Sequence, residues 1–239
     1  MLDFLTLSDF EREAVLLSIK VAATAVLWLT PISLLLAWVF VKKEFVGKRL
    51  LDSLIHLPMV LPPVVIGYLL LVTMGKQGVV GHWLNLHFGI NFSFNWKGAA
   101  LASAVVALPL MVRAIRLNLA SVDPKLEYAA RTLGASSWRV FFTITLPLTL
   151  PGVITGALLA FARSLGEFGA TMSFVSNIPG QTQTLPLAMY SFIQTPGSES
   201  AAARLCVISI LIALCSLLAS EWLTRYTSRK LGLDHKGRA

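Results

Sequence analysis

Residues 14–41, AVLLSIKVAATAVLWLTPISLLLAWVFV, contain a single charge, Lys20. A helix that crosses a bilayer needs about 20 consecutive apolar residues. This run exceeds that length, and four more runs of similar character follow: 54–74, 98–119, 151–175 and 201–223. Only closed helical or barrel structures satisfy every backbone polar group in hydrocarbon. Long unbroken apolar runs therefore predict five transmembrane helices in one membrane domain over 1–239, an all-α polytopic chain. Composition agrees. The chain is 56% hydrophobic and 13% charged, against about 45–50% and about 25% in soluble domains.

Two runs carry interruptions. The second holds Pro58, Pro62 and Pro63, which predict a kink or a late helix start. The fourth holds Gly152, Gly156, Gly166 and Gly169 beside Arg163 and Glu167. That mixture cannot face lipid all round.

The net charge is +8, and the basic residues lie between the runs rather than in one patch. This is a topology signal, not a nucleic-acid footprint. Lys42, Lys43, Lys48 and Arg49 follow the first run. Arg113, Arg116, Lys125, Arg131 and Arg139 surround the gap between the third and fourth. Arg225, Arg229, Lys230, Lys236 and Arg238 follow the fifth. Fourteen basic residues thus fall on one side, against Arg12, Lys76 and Lys97 on the other. The positive-inside rule predicts an outer N-terminus and a cytoplasmic C-terminus. The opening MLDFLTLSDFERE is acidic where a secretory leader needs a basic start, so it does not read as a signal peptide.

The gap at about 120–147 is therefore cytoplasmic. Asp123-Pro124 is an N-cap followed by a first-turn proline. Leu126, Ala129, Ala130 and Leu133 fall on one helical face, and Gly134 stands at a C′ position. A short helix over 124–133 is predicted, with a narrow apolar face. Such a helix is marginal alone. It packs either on the chain's own spans or on a partner. Ser136 or Ser137 then caps a second helix from Trp138 to about Thr145, and Pro147 and Pro151 mark the return to the membrane.

These residues resemble the cytoplasmic motif of binding-protein-dependent ABC importer permeases. That motif is Glu-Ala-Ala, three residues, Gly, nine residues, then Ile-x-Leu-Pro. This chain has Ala129-Ala130, Gly134, nine residues and Ile144-Thr145-Leu146-Pro147. It departs at the first position, where Tyr128 replaces glutamate and Glu127 comes one residue early. Segments such as LIHLPMVLPPVVIGYLLL at 54–71 and FARSLGEFGATMSFVSNIPG at 161–180 resemble the permeases of bacterial molybdate importers. The resemblance covers essentially the whole chain.

It implies a type I ABC importer permease fold, a pair of permease subunits with the pathway between them, two ATPase subunits, and a periplasmic molybdate-binding protein. It also implies that Glu127, Tyr128, Ala129, Ala130, Leu133 and Gly134 dock on the ATPase. ATP and Mg belong to that partner. No cofactor or metal is expected on this chain, which lacks the Gly-x4-Gly-Lys-Ser/Thr phosphate loop and is not expected to be an enzyme. Sulfate, thiosulfate and tungstate are the alternative cargoes.

Arg163 and Glu167 are four apart and can pair. One reading is a structural ion pair near a membrane edge. The other is a pathway or gate element with Gly166 and Gly169, where close packing or hinging is expected of the glycines. Lys20 is expected to snorkel to the headgroups. Arg113 and Arg116 either anchor the topology or attract an oxyanion toward the inner exit. Cys206 and Cys215 read as buried, unpaired thiols, and His56, His82, His87 and His235 show no ligand spacing. A secondary transporter would show inverted repeats, and none is visible. No constellation suited to a membrane enzyme is visible either.

Overall fold

The structure, a computed structural model, describes residues 7–230. Lys236, Arg238 and His235 of the sequence argument lie outside the described residues. Every regular element among the described residues is helical.

The first helix, α1 (Asp9–Lys42), starts on a reciprocal cap. Glu11 N–H donates to Ser8 Oγ at 3.3 Å, and Ser8 N–H donates to Glu11 Oε2 at 2.7 Å. This is a capping box, which satisfies two end groups that an apolar surrounding would leave unpaired. α5 (Trp96–Ala120) starts on Asn95, whose side chain accepts from Lys97 and Gly98 N–H. Small residues then line its neighbours. Ala25, Ala37, Ala104, Ala107 and Ala160 share one buried cluster with Leu29, Met111 and Ile115. α5 therefore lies innermost, flanked by α1 and α8 (Leu146–Leu165).

The proline-rich second run breaks as its composition predicts. α2 (Lys48–His56) and a 3₁₀ turn at Leu57–Met59 stop before Pro62, and α3 (Pro63–Met74) leaves at 112° to them. Two elements were not anticipated. α4 (Val79–Phe88) occupies the aromatic loop at 75–97, and α10 (Leu185–Gln194) occupies the polar stretch at 176–198. Leu185 and Ala188 of α10 pack on Ala14 and on Leu205 of α11 (Glu199–Lys230). Their apolar spacing was hidden by flanking Gly, Pro, Ser and Thr.

The expected fourth span at 151–175 is corrected. Helix runs from α7 (Ser137–Val140) through a π turn at Phe141–Thr145 into α8, then ends at Leu165. A separate short helix, α9 (Gly169–Val175), follows. Pro147 has no N–H for the Thr143 carbonyl. The π turn absorbs that loss, with Leu146 N–H donating to Phe141 O, five residues back. Pro147 and Pro151 thus lie inside one continuous helical rod.

Four helices are long and apolar enough to cross a membrane: Asp9–Lys42, Trp96–Ala120, Ser137–Leu165 and Glu199–Thr227. The bent pair Lys48–Met59 and Pro63–Met74 makes a fifth if counted as one span. The cysteine expectation is half corrected. Both are unpaired, but both are exposed on α11 rather than buried.

Candidate functional site

Two places carry the candidate residues: the loop between α5 and α8, and the break between α8 and α9.

The loop helix forms where the end signals put it. α6 runs Pro124–Thr132, and Asp123 Oδ1 accepts from Lys125 N–H at 2.9 Å. Its end is a Schellman motif. Gly134 N–H donates to Arg131 O at 3.0 Å and Ala135 N–H donates to Ala130 O at 3.1 Å. Gly134 takes φ +83°, the left-handed region that glycine enters freely. Ser136 caps the next helix, accepting from Arg139 N–H.

Glu127 faces inward. Lys42 Nζ, at the end of α1, lies 2.9 Å from both its carboxylate oxygens. Thr145 Oγ1, in the π turn, donates to Oε1 at 2.7 Å. Burial pushes the Glu127 carboxyl up. The hydrogen bonds from Lys42 and Thr145, with the charges of Lys42 and Arg131, outweigh it and hold the group below its ordinary 4.5. This brace ties α6 to two membrane rods at once. No sequence spacing links Lys42 to Glu127, 85 residues apart.

The other loop residues turn outward. Leu126, Tyr128, Leu133, Trp138 and Phe142 are all exposed, Leu133 at 88%. Ala129 and Gly134 are exposed and Ala130 is half-buried. Trp138 stacks on Phe142 with centroids 6.1 Å apart. Of the two packing possibilities for the short helix, its own spans take Glu127, while most of its apolar surface stays uncovered. Trp138 and Phe142 extend that surface beyond the residues the sequence motif marks. Their spacing of four, one helical turn, was a readable signal.

At the α8–α9 break, Arg163 Nη1 lies 2.8 Å from Glu167 Oε2. The pair is close but not aligned as a hydrogen bond. Ala170 N–H donates to Glu167 Oε1 at 2.9 Å, and Glu167 is 2% exposed. The two glycines differ. A Cβ on Gly169 would lie 3.0 Å from Pro63 Cβ, so Gly169 is a packing position against α3. A Cβ on Gly166 would meet nothing within 4 Å, so the packing expected there is corrected.

Lys20 Nζ stands 3.8 Å from the Trp96 ring centroid, a cation–π contact at the start of α5. Arg116 pairs with Asp52 of α2 at 2.8 Å. It thus ties α2 to α5. Arg113 lines an open groove with Asn118, Gly152 and Thr155. Among the described residues no His, Cys, Asp and Glu group is arranged to hold a metal.

A family model described as the binding-protein-dependent transport system inner membrane component matches residues 30–231. The chain belongs to that family. This permease is a multi-pass inner-membrane protein, the membrane-spanning component of a binding-protein-dependent importer. It is 65% identical over 226 residues to the molybdenum transport system permease protein ModB of Escherichia coli strain K12, covering 95% of this chain and 99% of that one. The Haemophilus influenzae protein of the same name is 62% identical, covering 93% and 97%. The sulfate transport system permease protein CysT of Escherichia coli is 36% identical, covering 77% and 65%.

Among solved structures, a bacterial ABC transporter involved in alginate import aligns with TM-score 0.71 and 17% identity, over 92% of this permease and 80% of that chain. The inward-facing MetNI methionine transporter aligns with TM-score 0.65 and 14% identity, over 91% and 94%. At such identities the likeness shows the fold, which is that of ABC importer permeases.

Proposed function

We propose that this permease carries molybdate across the inner membrane. The observation that carries the reading is 65% identity over nearly all of both chains to a molybdenum permease, against 36% to a sulfate permease. The permease works as a pair of identical subunits, with two ATPase subunits on the cytoplasmic side and a periplasmic binding protein that delivers the oxyanion. The N-terminus lies outside and the C-terminus inside, a placement supported by fourteen basic residues against three.

The outward face of α6, with Leu126, Tyr128, Ala129, Leu133 and Gly134, docks on the ATPase. Glu127 supports that face from behind, and Ala130 lets it approach closely. ATP binding closes the ATPase pair. The brace from Glu127 to Lys42 and Thr145 carries the movement of α6 into α1 and α8, and the spans open outward. ATP and Mg act on the partner; this chain positions the pathway. Arg163, Glu167 and the glycines beside them line or gate it.

Uptake of labelled molybdate in cells lacking this chain, with sulfate and tungstate as competitors, tests the reading. Uptake is expected to be lost on deletion, restored by the gene, and unaffected by excess sulfate. Uptake that persists without the chain sinks the assignment. Restored uptake that sulfate abolishes moves the assignment to sulfate.

A further inference from the structure

The α8–α9 break lies about midway along the bundle. Ala160, near the end of α8, packs in one cluster with Ala25, and Ala170 of α9 packs in another with Val21. Both partners stand near the middle of the 34-residue α1. Gly169 meets Pro63 at the start of α3, so the proline break and the glycine break share this level. Irregular backbone at such depth persists where protein buries it or where it lines a watery cavity.

This level is also polar without being satisfied. Ser164 Oγ, Glu167 Oε2 and Thr171 Oγ1 are buried and lack a hydrogen-bond partner. Their residues are 5%, 2% and 0% exposed. The two hydroxyls, Ser164 and Thr171, point to a polar visitor rather than to a finished core, whereas Glu167 Oε2 already has its ion pair with Arg163. Glu167 is already committed, with one oxygen on Ala170 N–H and the other beside Arg163. Arg163 is not. Its side chain is 33% exposed, and among the described residues Glu167 is its one ion-pair partner. A guanidinium offers five N–H donors in a rigid fork that suits two oxygens of an oxyanion.

We propose that Arg163 contacts the tetrahedral oxyanion in the translocation pathway and that Glu167 is its positioning residue. The carboxylate fixes the arginine and lowers the net charge of the site, so a dianion is handed on rather than trapped. The inference rests on the oxyanion-importer reading above. The competing account is that Arg163 only neutralises a buried Glu167.

The test uses the whole complex of permease, ATPase and binding protein in proteoliposomes. Molybdate uptake and binding-protein-stimulated ATP hydrolysis are read together. R163Q is expected to lower molybdate moved per ATP by at least about tenfold, with ATP hydrolysis held within about twofold, because the contact acts on passage. R163K keeps the charge without the fork and retains intermediate uptake. The double variant R163Q/E167Q decides between the accounts and leaves no buried carboxylate unpaired. Continued loss of uptake with normal hydrolysis supports the oxyanion contact; recovery to the wild-type ratio overturns it. If the wild-type complex carries no oxyanion, the functional reading falls and this inference falls with it. Wild-type uptake matched by R163Q removes this inference alone.

Discussion

Glu127 accepts from two residues far away in sequence, Lys42 and Thr145. Its pKa is depressed, so its contribution has a definite sign with pH. Stability from the brace is fully present above the ordinary carboxyl value and is lost as pH falls through the depressed one. Amide protection in α6 is therefore expected to stay level between about pH 7 and 5 and to drop only in stronger acid. Protection that already falls near about pH 6 contradicts the brace. Glu127→Gln keeps the shape and loses the charge. It is expected to loosen α6 by about 1–3 kcal/mol while Tyr128→Ala leaves α6 protection unchanged. The motif pattern drew attention to Tyr128 as the departure. In space Tyr128 is a 65% exposed surface residue, and its neighbour carries the internal bond.

Helices here approach one another through small residues, and the glycines of α8 show where this is strict. A Cβ on Gly152 would come within 2.3 Å of Asn118 Cβ on α5, and one on Gly156 within 3.2 Å of Met111. Gly152→Ala is expected to destabilise by about 1–3 kcal/mol through overpacking. Gly166→Ala is expected to change stability by less than about 0.5 kcal/mol, because the added methyl group enters open space. Thermal unfolding in detergent measures both. Equal effects would remove the claim that α5 and α8 close through Gly152. Sequence reading treated Gly166 and Gly169 alike, since spacing alone does not say which of them faces a neighbouring helix. The π turn explains the second difference at this scale. Pro147 reads as a stop, but widening the turn one residue earlier lets the helix continue through it.

The placement of the whole chain in its membrane rests on its basic loops. Single cysteines at 45 and 135, introduced after Cys206 and Cys215 are replaced, are expected to label only from the cytoplasm. Periplasmic labelling of either overturns the proposed orientation. In that orientation α6 and the exposed Leu133, Trp138 and Phe142 face the ATPase side. The α8–α9 break then lies between the two faces, in keeping with the proposed pathway role of Arg163. The two ends of the device are joined by one continuous helical rod from Ser137 to Leu165.

The sequence by itself determined that the chain is helical, that it crosses a membrane several times, and where its loop helix starts and stops. Apolar run length, Asp123-Pro124 and Gly134 act locally, over one span or one turn, and local rules are readable along a single chain. Tertiary structure alone decided that Glu127 points to Lys42, that the fourth run splits at Gly166, that Glu167 closes onto Ala170 N–H, and that Gly169 packs on the start of α3 while Gly166 does not. Each depends on which helix lies next to which, and in a bilayer that choice is made by shape complementarity and polar pairing among helices that look alike in apolar content.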